Sequence, residues 1–262
     1  MHRQLPYDVS YETLNCWRKF ETALLWYTFI GPILYSILQI PYFQNNLCII
    51  DCIASFISFL NYFSVIGYSG LYIAVEIIMQ PMVAQERRKG FLDNSIGTNF
   101  LARSVTNYYD NDDISYGMYK LLVNCFENCY FTYHIVKRML LSVILKNITL
   151  GVLLLLIAYL GIMSSFVFIP IIQLFISSLF LYELAYHISF FIRLKKLYER
   201  FQYIFQRRIS KKEAEKEAIY MVLEYETALA YNKSPNSNSV YNKMREQLTA
   251  EWIQIKERYR IQ

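Results

Sequence analysis

The sequence predicts an all-α integral membrane protein: four transmembrane helices in two hairpins, plus a helical cytoplasmic domain built from the middle segment and the C-terminal tail. Three observations lead to this fold class. Hydrophobic residues make up 55% of the 262 residues, and charged residues only 18%, below the roughly 25% of an ordinary soluble domain. The 26 lysines and arginines leave two long windows empty, residues 20–86 and 147–192. Fifteen of these basic residues lie from Arg193 onward.

The first hairpin is predicted over residues 23–80. A helix that crosses the hydrocarbon core needs about 20 mostly apolar residues, so the first window has room for two crossings. One crossing occupies residues 23–40, the sequence PYFQNN makes the turn, and the second crossing begins at Leu47. Gly31 and Pro32 are tolerated inside the first crossing because neighbouring helices satisfy the freed backbone groups.

The second hairpin is predicted over residues 141–192. Residues 148–160 open the third crossing, GIMSSFVFIP forms the turn, and residues 171–192 return. Basic residues flank both hairpins, whereas neither turn contains lysine or arginine. The positive-inside rule therefore places both termini and the middle segment in the cytoplasm. The first 20 residues are polar and predict no cleavable signal, so we expect the first helix to be retained.

Five segments follow from this topology. They are a cytoplasmic N-terminal segment, the first hairpin, a cytoplasmic middle segment, the second hairpin and a cytoplasmic helical tail, at residues 1–22, 23–80, 81–140, 141–192 and 193–262.

The middle segment begins where the apolar run of the second crossing is expected to break, at Pro81. Gly90 and Gly97 are expected to interrupt the helix that follows. NYYDNDDISYG has the composition of a loop. Helical periodicity then resumes, and this helix is expected to run into the third crossing. Its apolar residues fall on one side, at Leu121, Leu122, Cys125, Phe126 and Cys129.

The tail predicts two amphipathic helices. KKEAEKEAIYMVLEYETALAYN places its apolar residues along one face that needs a partner, at Ala218, Val222, Tyr225 and Leu229. After the polar break KSPNSNS, a final helix carries Trp252 and Ile255. Fifteen basic and nine acidic residues give the tail a net charge of plus six. That charge suits an anionic lipid surface or a phosphate-bearing ligand.

Three polar residues within the second crossing are candidate pore-lining residues. Asp51 is expected near the outer mouth and Glu76 near the inner mouth, with Asn61 between them. Ionisable groups at membrane depth usually face a bundle interior or a water-filled path. Rings of carboxylates repeated around an oligomer would attract cations. The alternative is that Asp51 and Glu76 lie at the two interfaces and are simply hydrated.

Other polar residues give weaker indications. Glu183 and His187 lie four residues apart on one helical face, and an inter-helix hydrogen bond or an interfacial position explains them. Cys48/Cys52 and Cys125/Cys129 share that spacing but lack the signature of a zinc module, which favours ordinary buried cysteines. No metal site and no cofactor are predicted. Phosphate-binding glycine loops, metalloprotease histidine pairs and nucleophile elbows are missing from the sequence, so an enzyme is not expected.

The layout resembles the S-4TM family, four-helix pore-forming effectors of bacterial nucleotide-signalling (CBASS-like or Hailong-like) antiphage systems. After the second crossing, that family carries Gln-Glu and then Phe-x-Asp, matched by Gln85-Glu86 and Phe91-Leu92-Asp93. In the tail it has a helix, a Pro-containing break, and then Tyr and Arg before an acidic position. The matching residues here are Pro235, Tyr241, Arg245 and Glu251. The family's Gln-Asp pair in the tail helix and its tryptophan after the middle motif are missing.

The resemblance implies a homo-oligomeric, multi-pass protein of the bacterial inner membrane, for which a tetramer is the working guess. A partner nucleotidyltransferase would supply a nucleotide or oligonucleotide that gates an ion channel, and the response would depolarise or permeabilise the membrane. Within the middle segment, side chains that suit phosphate contact or base stacking are the candidate ligand-binding residues. These are Arg87, Arg88, Lys89, Arg103, Tyr108 and Tyr109.

Two other functions share parts of this pattern. A constitutive ion channel or transporter subunit would use Asp51 and Glu76 without a nucleotide. A membrane scaffold would recruit a soluble partner through its tail and would need neither carboxylate.

Overall fold

The computed structural model describes most of the chain, at residues 8–38, 47–102, 109, 111, 113–159, 181–207, 210–231 and 238–261. Every regular element in these residues is a helix, which confirms the all-α class. The seven α-helices are α1 (Asp8–Leu38), α2 (Leu47–Tyr72), α3 (Gln80–Ile96), α4 (Met118–Tyr159), α5 (Leu181–Gln206), α6 (Lys211–Ala230) and α7 (Asn238–Tyr259). A π-helical stretch, Ile73–Met79, joins α2 to α3.

Within the described residues, one helix is long and apolar enough to cross a membrane, judged by length and composition. It covers Ile49–Ile96, and only 6% of its most apolar stretch is buried inside the structure. Large apolar side chains are exposed along it, among them Ile49, Phe56, Phe59, Tyr62, Phe63, Ile66, Ile73 and Ile77. The other three crossings stay predictions, and both predicted hairpin turns lie outside the described residues.

The chain divides into two compact units. Of the described residues, the hairpin unit comprises those within 8–86 and 148–181, and the bundle unit comprises those within 87–147 and 182–261. The predicted boundaries at residues 81, 141 and 193 lie within helices, so no loop marks these transitions.

In the hairpin unit, α1 packs antiparallel to the long helix that starts with α2. Glycines allow close approach at two levels. A Cβ added at Gly31 would lie 3.1 Å from Asn61 Oδ1, and one added at Gly67 would lie 3.2 Å from a methyl of Leu24. Small residues are typical of such tight helix contacts in membranes.

The expectation that Pro81 breaks the second crossing is wrong, because the helix continues through Pro81 to Ile96. Proline lacks the backbone N–H that an α-helix needs, and its ring crowds the preceding turn. Here the π-helical stretch comes directly before it, and the N–H of Gln80 donates to the carbonyl of Val75, five residues earlier. This wider turn changes the hydrogen-bond register where proline enters the helix.

Gly90 was also expected to interrupt the helix, and this too is wrong: Gly90 is buried inside α3. An internal glycine costs about 1 kcal/mol relative to alanine, which packing of α3 in the bundle unit offsets. Gly97 does end the helix, as predicted. Its φ of 74° is left-handed, and its N–H donates to the carbonyl of Asp93 at 3.1 Å.

The bundle unit has an aromatic core formed by α4, α5, α6 and α7. Phe126 lies at its centre: its ring stacks on Phe201 at 5.1 Å and on Phe205 at 5.2 Å, and it meets Trp252 edge-on at 5.1 Å. Trp252 is fully buried. Offset and edge-to-face aromatic pairs add stability beyond burial alone. The final helix is therefore an integral part of this core.

The predicted faces of α4 and α6 are largely confirmed. All five predicted apolar residues on the N-terminal half of α4 are buried, and α4 continues to Tyr159 as one helix. On α6, Ala218 and Tyr225 are buried, whereas Val222 and Leu229 are partly buried and pack against the core. Ala214, Met221 and Ala228 are also buried.

Candidate functional site

The most distinctive polar contact of the hairpin unit centres on Glu76, inside the π-helical stretch. The carboxylate accepts hydrogen bonds from Arg18 of α1, from Nε at 3.1 Å and from Nη2 at 3.0 Å. Arg18 also donates to the side-chain oxygen of Gln80. The side chains of Arg18 and Glu76 are only 24% and 21% exposed. We call these three residues the Arg18–Glu76 clasp.

The clasp joins the two antiparallel helices near one end of their contact. Toward the N-terminus of α1, Leu14 packs with Val75 and Val83 in a small apolar cluster. One turn further, Ser10 donates a hydrogen bond to the carboxylate of Glu86 at 2.8 Å. Short π-helical segments within α-helices are frequent at functional sites. No motif in the sequence marks Arg18 as a site residue. Distance from the predicted turn PYFQNN would not have paired the two residues, because Arg18 lies 23 residues before the turn and Glu76 lies 30 residues after it.

The other candidate pore-lining residues occupy different environments. Asp51 is exposed. Asn61 is directed at Gly31 of α1, and its Oδ1 is buried with no hydrogen-bond partner among the described residues. Asn61 and Glu76 thus both face α1 of their own chain and are at least partly buried by it, whereas the side chain of Asp51 is exposed. That these three residues line a pore stays a prediction.

In the bundle unit, the first of the predicted ligand-binding residues is already engaged. Arg87 of α3 donates to Glu226 of α6 at 2.5 Å, and both side chains are at most 20% exposed. Arg88 is 44% exposed and lies 4.0 Å from the same carboxylate. Lys89 is partly exposed. The basic cluster therefore fixes α3 to α6 through Glu226.

Tyr109 is the other predicted ligand-binding residue that the structure describes. Tyr109 is only 4% exposed. Its ring lies 6.3 Å from that of Phe91, and its hydroxyl accepts a hydrogen bond from Asn128 at 3.0 Å. In this structure Tyr109 is a core residue, and no ring face is left for base stacking. Arg103 and Tyr108 lie outside the described residues.

The Phe-x-Asp motif has a structural role at the end of α3. Phe91 is buried, and the Asp93 carboxylate accepts hydrogen bonds from Thr98 Oγ1 at 2.7 Å and from the backbone N–H of Phe100 and Leu101 at 2.8 and 2.9 Å. Burial alone raises the pKa of Asp93, but these three hydrogen bonds outweigh it and lower the pKa below its usual value. The motif therefore organises the loop that follows α3.

A buried polar network fastens the end of α3 to α4. The side-chain amide of Asn124 donates to Asn94 Oδ1 at 2.9 Å and to Ser95 Oγ at 3.0 Å. Asn111 donates to Asn124 Oδ1 at 2.8 Å and to Glu127 at 2.7 Å. Such networks fix one arrangement of the elements they join. Movement of α3 would therefore be transmitted to α4.

The acidic residue of the tail motif also has a structural partner. Tyr130 of α4 donates to Glu251 of α7 at 2.6 Å, and Gln247 donates to the other carboxylate oxygen at 2.8 Å. These two hydrogen bonds lower the pKa of Glu251. Of the other motif residues, Tyr241 packs against the core, Arg245 is partly exposed, and Pro235 lies outside the described residues.

The remaining candidates are structural where they are described. His187 is fully buried, with Nε2 3.2 Å from the carbonyl oxygen of Val136. The side chain of Glu183 lies outside the described residues. Cys125 and Cys129 are buried as expected, whereas Cys52 is exposed, so the expectation is wrong for Cys52. Burial raises the pKa of the Cys125 and Cys129 thiols. Neither is a reactive thiolate at neutral pH.

Comparison of the chain with protein-family models, with curated proteins and with solved structures found no match.

Proposed function

We propose that the chain forms a homo-oligomeric ion channel or pore in the bacterial inner membrane, gated by a nucleotide or oligonucleotide in antiphage defence. The fourfold crossing, both cytoplasmic termini and the partner nucleotidyltransferase belong to this proposal, and a tetramer is the working guess. The observation that carries the channel function is the Arg18–Glu76 clasp, a partly buried ion pair between α1 and the long apolar helix Ile49–Ile96.

The clasp suits a gate because its two charges neutralise each other only while α1 and the long helix stay together. A charged pair removed from water is stable as a pair and costly when one partner is left alone. If the two helices separated, water would have to hydrate Glu76. A hydrated carboxylate at this point would attract cations that pass through the pore. In the proposal, the clasp is closed in the non-conducting state.

The bundle unit supplies a mechanical connection to the same helix. Arg87 follows Glu76 in one continuous helix, and Arg87 is held by Glu226 of α6. A ligand shifts a closed–open equilibrium only through different affinities for the two states. Any ligand that displaces α6 relative to α3 acts on the Arg87–Glu226 pair, and through α3 on the helix that carries Glu76.

Ion flux from liposomes containing the purified full-length chain tests this function, with a panel of cyclic and linear oligonucleotides. We expect nucleotide to change the flux of the wild type and Arg18→Gln to raise flux without nucleotide. Loss of a clasp worth about 1 kcal/mol would increase the open population about fivefold. The charge swap Arg18→Glu with Glu76→Arg should restore the low flux. Lys19→Gln, the same charge change at an exposed neighbour, is the matched control.

The other results would reject the proposal in distinct ways. Steady wild-type flux that no nucleotide alters would favour the constitutive channel or transporter subunit. No flux in any variant would favour the scaffold, which predicts that Asp51→Asn and Glu76→Gln are harmless while deletion of residues 210–262 abolishes function. Equal effects of Arg18→Gln and Lys19→Gln would reject the clasp as the gate.

A further inference from the structure

A groove lies between α5 and α6 of the bundle unit. Its volume is about 390 Å³, within the range of roughly 300–1,000 Å³ of small-molecule sites. Its polar lining comprises Arg193, Lys196, Arg200, Tyr220, Glu224 and Thr227. In the sequence, Arg193 and Lys196 belong to the basic residues that follow the predicted fourth crossing, and no motif marks Arg200 or Tyr220.

The α5 wall of the groove is cationic. Arg193, Lys196 and Arg200 follow the spacing i, i+3, i+7, so their side chains share one helical face. Arg200 donates to Glu217 at 3.0 Å. Neither Arg193 nor Lys196 forms an ion pair with any residue that the structure describes. The Arg193 guanidinium lies 5.7 Å from the centroid of the Tyr231 ring, a contact that leaves its N–H donors without a carboxylate partner. Two cations in a concave site are thus available to an anion.

The α6 wall provides groups of a different kind. Tyr220 lies beneath the Arg200 guanidinium, which is 4.6 Å from the ring centroid. Arg200 is therefore held between a ring and the Glu217 carboxylate, which orders its planar donor group. Glu224 adds a hydrogen-bond acceptor and Thr227 a hydroxyl. A ligand that fills this groove needs an anion on one side and hydrogen-bond donors on the other.

We infer that this groove binds the phosphate group of a nucleotide, with Arg193, Lys196 and Arg200 as the phosphate contacts. Guanidinium and ammonium groups bind phosphate oxygens through charge-assisted hydrogen bonds. Glu224 is placed to accept from a sugar hydroxyl or a base amine. The inference rests on the proposed nucleotide response and gives it a binding site separate from Arg87, Arg88 and Lys89.

The position of the groove on α6 connects it to the proposed gate. Glu224 and Thr227 line the groove, and Glu226 between them in sequence holds Arg87 of α3. Residues on successive positions of a helix point in different directions, so α6 presents one face to the ligand and another to α3. Closure of the groove on a phosphate would move α6 and the residue that anchors α3.

Isothermal titration calorimetry with the full-length chain in phosphatidylcholine nanodiscs tests the inference. The probes are ATP, cyclic di-AMP and linear triadenylate, with adenosine as the phosphate-free control. Arg193→Gln with Lys196→Gln should weaken binding of at least one phosphate-bearing probe about tenfold or more, the loss of a charge-assisted hydrogen bond. Lys195→Gln with Lys212→Gln removes two exposed lysines outside the groove and should leave the affinity unchanged. Melting temperatures confirm that both double variants fold.

A second set of binding measurements distinguishes a nucleotide from a lipid headgroup as the ligand that carries the phosphate. Phosphatidylglycerol carries the same phosphate chemistry, and the groove lies just after the predicted fourth crossing. One outcome is that the wild type binds phosphatidylglycerol vesicles, the Arg193→Gln with Lys196→Gln variant does not, and neither binds a nucleotide. That outcome would support the phosphate site and overturn the nucleotide as its ligand. If no probe binds, or if both double variants weaken binding equally, the site itself is overturned.

Binding and conduction separate this inference from the proposed function. Groove-dependent nucleotide binding with no nucleotide-dependent flux would support the site and reject nucleotide gating. Nucleotide-dependent flux that is unchanged in Arg193→Gln with Lys196→Gln would support gating and overturn the groove as its sensor.

Discussion

The phenol of Tyr130 joins two helices that are distant in sequence. Tyr130 is 1% exposed, its hydroxyl donates to Glu251, and its ring lies 5.9 Å from that of Trp252. Burial, together with this hydrogen bond, raises the pKa of Tyr130 above its ordinary range. The same contact lowers the pKa of Glu251. Both shifts favour the neutral phenol beside the ionised carboxylate.

Tyr130→Phe should destabilise the protein by about 1–3 kcal/mol, because the buried phenol–carboxylate hydrogen bond is lost. The folded state lowers the pKa of Glu251, so the stabilisation is present above the unfolded value of 4.5 and is lost as the pH falls through the folded pKa. The difference between wild type and variant should therefore be largest at neutral pH and shrink below about pH 4.5. Chemical denaturation across this pH range measures it.

The control for Tyr130→Phe is Tyr116→Phe, the same change at a tyrosine that is 67% exposed. Its effect should be within about 0.5 kcal/mol at every pH. A Tyr130→Phe difference that stays constant down to pH 3 would contradict the assigned role of the Glu251 carboxylate.

At the scale of the helix, α6 depends on a local start signal. Ser210 caps the helix: its Oγ accepts from the N–H of Glu213 at 3.3 Å, and the Glu213 carboxylate accepts from the N–H of Ser210 at 3.1 Å. This reciprocal pair is a capping box. Hydrogen bonds from Ser210 lower the pKa of Glu213. The start of α6 matters because this helix carries both Glu226 and one wall of the groove.

Ser210→Ala should cost about 1 kcal/mol of stability, since the backbone N–H of Glu213 loses its side-chain acceptor at the start of α6. Hydrogen exchange of the first turn of α6 should accelerate, and the thermal unfolding midpoint should fall. Glu213→Ala should be more harmful than Glu215→Ala, which makes the same change two residues later on an exposed position. Equal effects of these two glutamate variants would contradict the capping box.

For the whole molecule, the native cysteines report topology. The chain has five cysteines; Cys16 and Cys52 are exposed, whereas Cys125 and Cys129 are buried. The predicted topology places Cys16 on the cytoplasmic side and Cys52 near the outer mouth of the first hairpin. These two thiols should therefore be accessible from opposite sides of the membrane.

In a Cys48→Ser background, a membrane-impermeant maleimide should label Cys52 in intact spheroplasts and Cys16 only in inverted vesicles. Cys16→Ser and Cys52→Ser assign each signal, and Cys125 and Cys129 should label only after denaturation because they are buried. Labelling of Cys16 and Cys52 from the same side would reject the first hairpin as a membrane-spanning element.

The helical class, the long apolar helix that begins at Leu47 and the buried face of α4 were predictable from the sequence alone, whereas the place of Trp252 in the core was not. The first three depend on periodicity and composition, which act locally along the chain. Pro81 and Gly90 were expected to interrupt the helix, and this was wrong. A π-helical turn before Pro81 and the packing of α3 around Gly90 outweigh the low helix propensity of these two residues. Which charged residues pair with each other is known from the three-dimensional arrangement of the helices and not from the sequence. The partners Arg18–Glu76 and Arg87–Glu226 are 58 and 139 residues apart, and the groove needs side chains from two helices. Such pairings depend on helix register and rotation, which no local pattern encodes.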